Sequence, residues 1–378
     1  MATVVAERAG ASAEAAEERI SVATQWQLMW WRFRKHGLGM VSAVVIIAFY
    51  LVALGADFLA YADPHASEAQ RSLIPPQAIH LFDGGRLRPH VYALEGRRDP
   101  MTMERVYQAN PDVKIPLVFF ARGFEYRFLG IIPTNIHLIG VEGAQVEDTV
   151  FILGTDRQGR DLWSRLVYAT RLSLVIGLAG VTVSLFLGML LGGISGYYGG
   201  VIDTIIQRVI EILRSIPTIP LWMGLAAALP RDWDVTQVYF AITLILSLIG
   251  WTGLARVVRG RFLSLREEDY VMAAELVGCG RLRIIFRHML PSMLSHIIAS
   301  TTLSLPTMII SETSLSFLGL GLRPPAISWG VMLQQAQNVH VVASTPWLML
   351  PAVPVIIAVL AFNFLGDGLR DAADPYGI

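Results

Sequence analysis

The sequence predicts an all-α polytopic membrane protein of six transmembrane helices, with an extracytoplasmic insert after the first. Three observations carry that expectation. Of 378 residues, 54% are hydrophobic and 16% charged, against about 25% charged in an ordinary soluble domain. Mean hydropathy is +0.52. Apolar runs of about 20 residues, the length that crosses a hydrocarbon core, recur along the chain. Thirty basic residues balance thirty acidic ones, so the basic surplus of a nucleic-acid binder is missing. Such hydrophobicity excludes a disordered chain. The single cysteine, Cys279, excludes an intramolecular disulfide framework.

The stretch 1–37 reads as an amino-terminal tail, Ala/Glu-rich up to Arg19. The first span is predicted over 38–60, with Asp57 near its far end. A cleaved signal peptide is the rival reading, since Ala60-Tyr61-Ala62 resembles a cleavage site. The long preceding charged region and the long apolar run argue against it. Residues 61–165 follow as the insert. Asp63-Pro64, Pro75-Pro76, Asp83-Gly84-Gly85 and Asn110-Pro111 mark turns there, and 115–120 and 124–132 suggest strands.

The remaining spans are predicted over 172–197, 205–229, 238–258, 293–320 and 347–365, within a core of 166–370 that ends in a tail, 371–378. Pro217 and Pro220 should kink the third span. Gly188 and Gly192 have the spacing of a close helix contact. Arg208, Glu211 and Arg214 recur every three residues and read as an ion-paired stripe. Arg32, Arg34 and Lys35 precede the first span, and Arg256, Arg259, Arg261, Arg266, Arg281, Arg283 and Arg287 lie between the fourth and fifth. Only Arg231 and Arg323 lie in the short loops on the other side; the insert at 61–165 is rich in arginine, but long translocated loops escape the rule. Basic residues in short loops stay inside, so both termini and the 259–291 loop are expected in the cytoplasm.

Recognisable catalysis is absent. The two lysines, Lys35 and Lys114, do not follow glycine, so no Gly-Lys-Ser/Thr phosphate loop exists. There is no His-Glu-x-x-His and no Gly-x-Ser-x-Gly. The eight histidines are scattered, whereas metal sites need ligands at fixed spacings. A transporter working without an ATPase would show repeated halves and charged relays in mid-membrane, and little of either is present.

The 259–291 loop is the informative segment. Ser264 and Glu267 have capping-box spacing, acids follow in the first turn, and Tyr270, Ala273, Ala274 and Val277 form one small-residue face. Gly278 is the expected stop. A helix is therefore predicted over 265–277, and a second over 281–290, ended by Pro291. The residues leave two readings open: a helix lying on the membrane surface, or one docked in a groove of a soluble partner.

Ala273-Ala274 and Gly278, followed by Ile285 and Leu290-Pro291, resemble the EAA loop of ABC importer permeases. The family's glutamate at the first position is Met272 here. The likeness to the dipeptide/oligopeptide (DppC/OppC) subgroup extends to Gly154-Thr155-Asp156-x-x-Gly159-Arg160-Asp161-x-x-Ser164-Arg165 and Arg171-x-Ser173. It includes Gly196-Tyr197-Tyr198-Gly199-Gly200 with Asp203, and Arg256-x-x-Arg259-Gly260. The run Ser314-Leu315-Ser316-Phe317-Leu318-Gly319-Leu320-Gly321, Trp329-Gly330 and Asn363-x-x-Gly366-Asp367-Gly368 complete it, ending at Asp374-Pro375. It covers 151–378 closely and 26–60 loosely.

The resemblance implies the type I importer permease fold in a bacterial inner membrane. It implies a second homologous permease, two ABC ATPase subunits that hold the ATP and Mg, and a periplasmic substrate-binding protein as partners. No cofactor, metal or nucleic acid is expected on this chain, and membrane lipid surrounds it. ATPase coupling is expected at Tyr270, Met272, Ala273, Ala274, Val277 and Gly278. Glu312, an ionisable residue inside the fifth span, is expected at a translocation path or gate with Ser316 and Phe317, or else in a structural or partner contact. The family also suggests that the segment 324–340 caps the outer face and meets the binding protein, the alternative being an interfacial Trp329 anchor. Oligopeptides are the expected cargo; oligosaccharides, opines, glutathione or metal chelates are the alternatives. The length of the insert favours longer peptides or oligosaccharides over dipeptides.

Overall fold

The computed structural model describes residues 24–98, 100, 105–141, 150–230 and 232–373. Of the predicted tails, residues 1–23 and 374–378 lie outside the described residues, as does Arg231. Five helices are long and apolar enough to cross a membrane, or six if one bent pair counts as a span.

A helix α1, Gln25–Phe33, opens the described chain, closed by a reciprocal Thr24/Gln27 capping box. Part of the predicted tail is thus ordered. Met29 and Phe33 are buried, and Ser295 Oγ donates to the Met29 sulfur at 3.5 Å. The first span is α2, Gly37–Leu54, followed by the single turn α3, Ala56–Leu59. Asp57 is buried here because Arg171 answers it: Nη2 donates to Asp57 Oδ2 at 2.7 Å, and the Tyr168 hydroxyl donates to Oδ1. That pairing lets a carboxylate sit at the end of an apolar run.

The insert adds a β element to an otherwise helical chain. β1 (His80–Asp83), β2 (Arg86–Arg98), β3 (Arg105–Phe128) and β4 (Ile132–Val141) form one antiparallel meander in chain order. Gly84 and Gly85, both at positive φ, make the β1–β2 turn. β3 serves two partners: its first half pairs with β2, from Arg98↔Arg105 to His90↔Pro116, and its second with β4, from Leu117↔Val141 to Phe128↔Ile132. Asn110-Pro111 is therefore no turn. Tyr92 pairs with Lys114 but Ala93 pairs with Asn110, so Pro111–Val113, numbers 111–113, bulge out where a missing N–H costs no ladder bond. The expected strand 124–132 is instead the end of β3, a turn at Leu129-Gly130, and the start of β4. Tyr61, Val91, Leu117, Val141 and Val150 seal the sheet onto the membrane domain, with Trp163 against them.

The second span, α4 (Leu162–Tyr198), begins ten residues before the apolar run; α7 (Val235–Leu265) also outruns its predicted ends. The two pack closely through glycines. A Cβ on Gly192 would lie 2.5 Å from the Ala255 carbonyl, and one on Gly196 2.8 Å from that of Arg259. The expected Gly188/Gly192 contact is thus the start of a longer seam. Between them, the third span is kinked as expected, and sharply: it is two helices, α5 (Gly200–Ser215) and α6 (Thr218–Ala227), bent by 87°. Pro217 removes a donor at the break, while Pro220 falls in the first turn of α6, where it is tolerated.

After α7 come α8 (Asp269–Leu276), α9 (Arg281–Arg283), a π-helical stretch Ile284–Met289 and α10 (Leu290–Ser292). The helix predicted over 265–277 is shorter at its start. Ser264 is still inside α7 and Glu267 lies in the linking turn, so their spacing makes no capping box; Glu268 occupies the cap position. Pro291 does not end the second helix, which runs on to Ser292. The fifth span is α11 (Leu294–Phe317), followed by α12 (Trp329–Gln334), α13 (Val339–Ser344) and the last span, α14 (Ala352–Ala373).

Candidate docking and translocation sites

α8 hangs between α7 and α11 by one buried side chain. Val271 is fully enclosed with Val258 and Phe262 of α7, Ile284, Ile285 and Met289 of the π stretch, and Met293 and Ile297 beyond. The Tyr197 hydroxyl donates to Glu275 Oε1 at 2.9 Å, tying the end of α4 to the same short helix. Gly278 ends it as its position predicts, at φ +80. Cys279 N–H reaches the Ala274 carbonyl at 3.0 Å and Gly278 N–H that of Glu275 at 2.9 Å, a Schellman close.

Of the six expected coupling residues, Tyr270, Met272, Ala273, Val277 and Gly278 are exposed, and Ala274 is half-buried. Leu276 and Val277 are 89% and 83% exposed. Leu282 and Phe286 continue the apolar surface. A surface of this kind marks an interaction site. Sequence reasoning missed Val271, Glu275 and Leu276; Val271 sits one position off the small-residue face, where a three-turn pattern is too short to show which face is inward.

Beneath this loop, Arg259 grips Asp203 with two bonds, Nε at 2.5 Å and Nη2 at 2.6 Å, and the Ser195 hydroxyl donates to the same carboxylate. The Gly-Tyr-Tyr-Gly-Gly/Asp203 and Arg256-x-x-Arg259 motifs thus form one bracket joining α4, α5 and α7.

The other end of α11 holds the candidate gate residues. Glu312 is enclosed, and Glu312 Oε1 accepts from Ser316 Oγ and Ser328 Oγ, each at 2.8 Å. Ser316 Oγ accepts the Leu322 N–H at 3.0 Å, and Ser328 Oγ caps α12 at the Val331 N–H. A Cβ on Gly330 would lie 2.7 Å from the Thr313 carbonyl. Glu312 and Ser316 therefore brace α12 onto α11 inside this chain, and Phe317 is half-buried beside them. Trp329 is enclosed, its backbone N–H donating to Ser173 Oγ at 3.1 Å and its ring edge-on to Phe49. It is not an interfacial anchor: α12 is buried from Trp329 through Leu333, whereas Pro324, Pro325 and Gln337 of the segment 324–340 are exposed.

A cavity of about 440 Å³ opens instead at mid-span. Ser184 of α4, Thr252 of α7, and Ser304, Thr307 and Ser311 of α11 line it, and the α5–α6 break contributes Arg214, Thr218 and Trp222. The ion-paired stripe is only half present. Arg208 pairs with Glu211 at 2.5 Å, whereas Arg214 makes no ion pair with any described residue.

At the amino end of α4, Thr155, Asp156, Gly159, Arg160, Asp161 and Arg165 knot the insert to the spans. Arg160 Nε donates to Asp156 Oδ2 at 2.7 Å, and Arg165 Nη1 to the Pro64 carbonyl at 2.9 Å. Gly159, at φ +74, passes so close to Glu68 that a Cβ would lie 1.9 Å from its carbonyl oxygen. Tyr61 donates to Asp161 Oδ1 at 2.5 Å. Burial pushes the Asp161 carboxyl up to about 6 and raises the Tyr61 phenol.

Residues 185–376 match the family described as "Binding-protein-dependent transport system inner membrane component", and residues 24–76 the "N-terminal TM domain of oligopeptide transport permease C". The chain is 37% identical over 223 residues to the oligopeptide transport system permease protein OppC of Bacillus subtilis, covering 59% of this chain and 70% of the relative. It is 42% identical over 223 residues to the dipeptide transport system permease protein DppC of Alkalihalophilus pseudofirmus, 59% and 71% covered. Against the OppC of Haemophilus influenzae it is 40% identical over 224 residues, 59% and 69% covered. The solved MetNI methionine ABC transporter, inward facing, aligns with 56% of this chain and 97% of its own at 18% identity and a TM-score of 0.45, a likeness too loose to argue from.

Proposed function

Because the chain belongs to the binding-protein-dependent transport system inner membrane components, we propose that it is the permease of an ATP-driven importer of oligopeptides. It is a multi-pass membrane protein of the bacterial inner membrane and a transporter component, not an enzyme. The observation that carries the coupling role is α8: a short helix pinned by Val271 and Glu275 that leaves Leu276 and Val277 in solvent. A soluble ATPase with an apolar groove would cover that face.

In this reading two ATPase subunits hold ATP and Mg, and this chain binds neither. ATP binding draws the ATPases together. α8 carries the movement into α7 and α11 through Val271, and into α4 through Tyr197, as a rigid-body rocking that alternates access. The cargo passes between this chain and a second, homologous permease, along the wall that holds the cavity. Glu312 and Ser316 stand behind that wall as a brace, so that α11 and α12 move as one piece. Phe317 lies where that piece could meet the path. Both termini and α8 face the cytoplasm. The β insert and the segment around α12 face the periplasm, where a binding protein delivers its load.

Labelled oligopeptides and oligosaccharides offered side by side to a strain lacking this gene test the reading. Loss of peptide uptake alone agrees with it. Loss of sugar uptake alone keeps the architecture and transfers the cargo. Loss of neither removes both.

A further inference from the structure

The mid-span cavity joins three features in one place. Arg214 is its one charged lining side chain among the described residues, and it stands without an ion pair. Its Nη1 lies 3.8 Å from the position a Cβ would take on Gly253, so the guanidinium reaches across to α7 where that helix has no side chain. Ser184 and Trp222 line the same cavity, and each carries a buried donor with no hydrogen-bond partner among the described residues, the Ser184 hydroxyl and the Trp222 indole N–H. Buried polar groups left unpaired are rare, and an ionisable group at membrane depth faces a path or a partner charge.

Thr218, the first residue of α6, borders the same cavity. The amino end of a helix carries a partial positive charge, and broken helices at mid-membrane present such ends to anionic cargo. The other polar walls, Thr252, Ser304, Thr307 and Ser311, are uncharged. Thr252 and Ser311 have already spent their hydroxyl protons on Ile249 and Thr307 carbonyls of their own helices, as Ser304 has on Ser300. They offer oxygens to amide N–H groups. Cationic guanidinium, unanswered donors and spare hydroxyl oxygens together match a short peptide segment ending in a carboxylate.

We propose that this cavity is a carboxylate-selective station on the translocation path, with Arg214 taking the anion and Ser184 and Trp222 donating beside it. This rests on the reading of the chain as a peptide permease. It makes Arg214 a specificity residue of the permease itself, separate from the selectivity of any binding protein.

The test uses the assembled importer with saturating loaded binding protein, so that the permease and not capture sets the maximal uptake rate. Three peptides are compared: one with a free carboxyl terminus, the same peptide amidated, and an amidated peptide bearing one glutamate side chain. Arg214→Gln should lower the rate for the free acid about tenfold and leave the plain amide unchanged, as expected for one lost charge-assisted hydrogen bond. Arg214→Lys should restore more than half. A fall in the glutamate-bearing amide places a side-chain carboxylate at the same station; its constancy restricts the station to the chain terminus. Equal loss for acid and plain amide, or loss for neither, overturns the inference. A wild-type importer that moves none of the three overturns the peptide reading instead, and that result is seen before any variant is made.

Discussion

The Tyr197 hydroxyl reaches Glu275 Oε1 at 2.9 Å, joining the last residues of a 37-residue helix to a helix of eight. The glycine seam at Gly192 and Gly196 holds the same long helix against α7, and Asp203–Arg259 closes the bracket. A push on α8 therefore reaches α4 and α7 together.

Tyr197→Phe removes that one bond. In a partly exposed setting the loss is about 1 kcal/mol, too little to unfold the chain. ATPase subunits should still copurify, but more ATP should be hydrolysed per peptide moved. An unchanged ratio of ATP to peptide would show that Tyr197 takes no part in coupling.

Val271 predicts a sharper result. Val271→Ala deletes two methyl groups from an enclosed cluster and should cost about 2 kcal/mol in stability with weakened uptake. Val271→Asp puts a charge there and should free α8 from α7 and α11. ATPase copurification should disappear while the spans remain inserted, which protease protection of the insert would report.

Gly192→Leu should prise α4 from α7, because the obstacle is the Ala255 backbone, 2.5 Å from the new Cβ. The expected outcome is loss of folded permease, read as loss of monodispersity in detergent. Gly224→Leu, at a helical glycine with open space around it, should be tolerated in the same assay.

The knot at Asp161 has a pH signature. Its carboxyl is held at about 6 by burial, against 3.8 in the open. The folded state then binds more protons than the unfolded one between those values, so stability falls as pH rises from about 4 to about 6 and is level above. The full span is worth about 3 kcal/mol. Asp161→Asn keeps a capping side chain for α4 and should flatten the melting temperature across that window. A slope identical to wild type would refute the assignment.

The spans were legible because lipid demands long apolar runs, and α2, α4, α7, α11 and α14 each contain one. Their ends were less so. The start of α4 at Leu162 carries Arg165 and Arg171, which interrupt the apolar pattern; Arg171 is answered by Asp57, far off in sequence on the other side of the insert. The 87° break was foreseeable as a kink from Pro217, but nothing local in the sequence sets its size. The insert defeated a local reading because β3 changes partners midway and two register breaks interrupt its alternation. The short helix α8 was legible from its small residues and from Gly278. Its anchor, Val271, was not, since a single buried residue leaves no period. Glu312 left gate and structural contact both open, because Ser328, which answers its carboxylate, lies sixteen residues on.

In the proposed function the exposed end of α8 is the surface an ATPase covers. Leu276→Asp with Val277→Asp tests it most directly, since both side chains stand in solvent and neither substitution disturbs the permease interior. The measurement is the amount of ATPase recovered with the tagged permease from membranes. A fall of tenfold or more, with the permease itself recovered in wild-type amount, is the predicted result. Full recovery of the ATPase by the double variant would contradict the account.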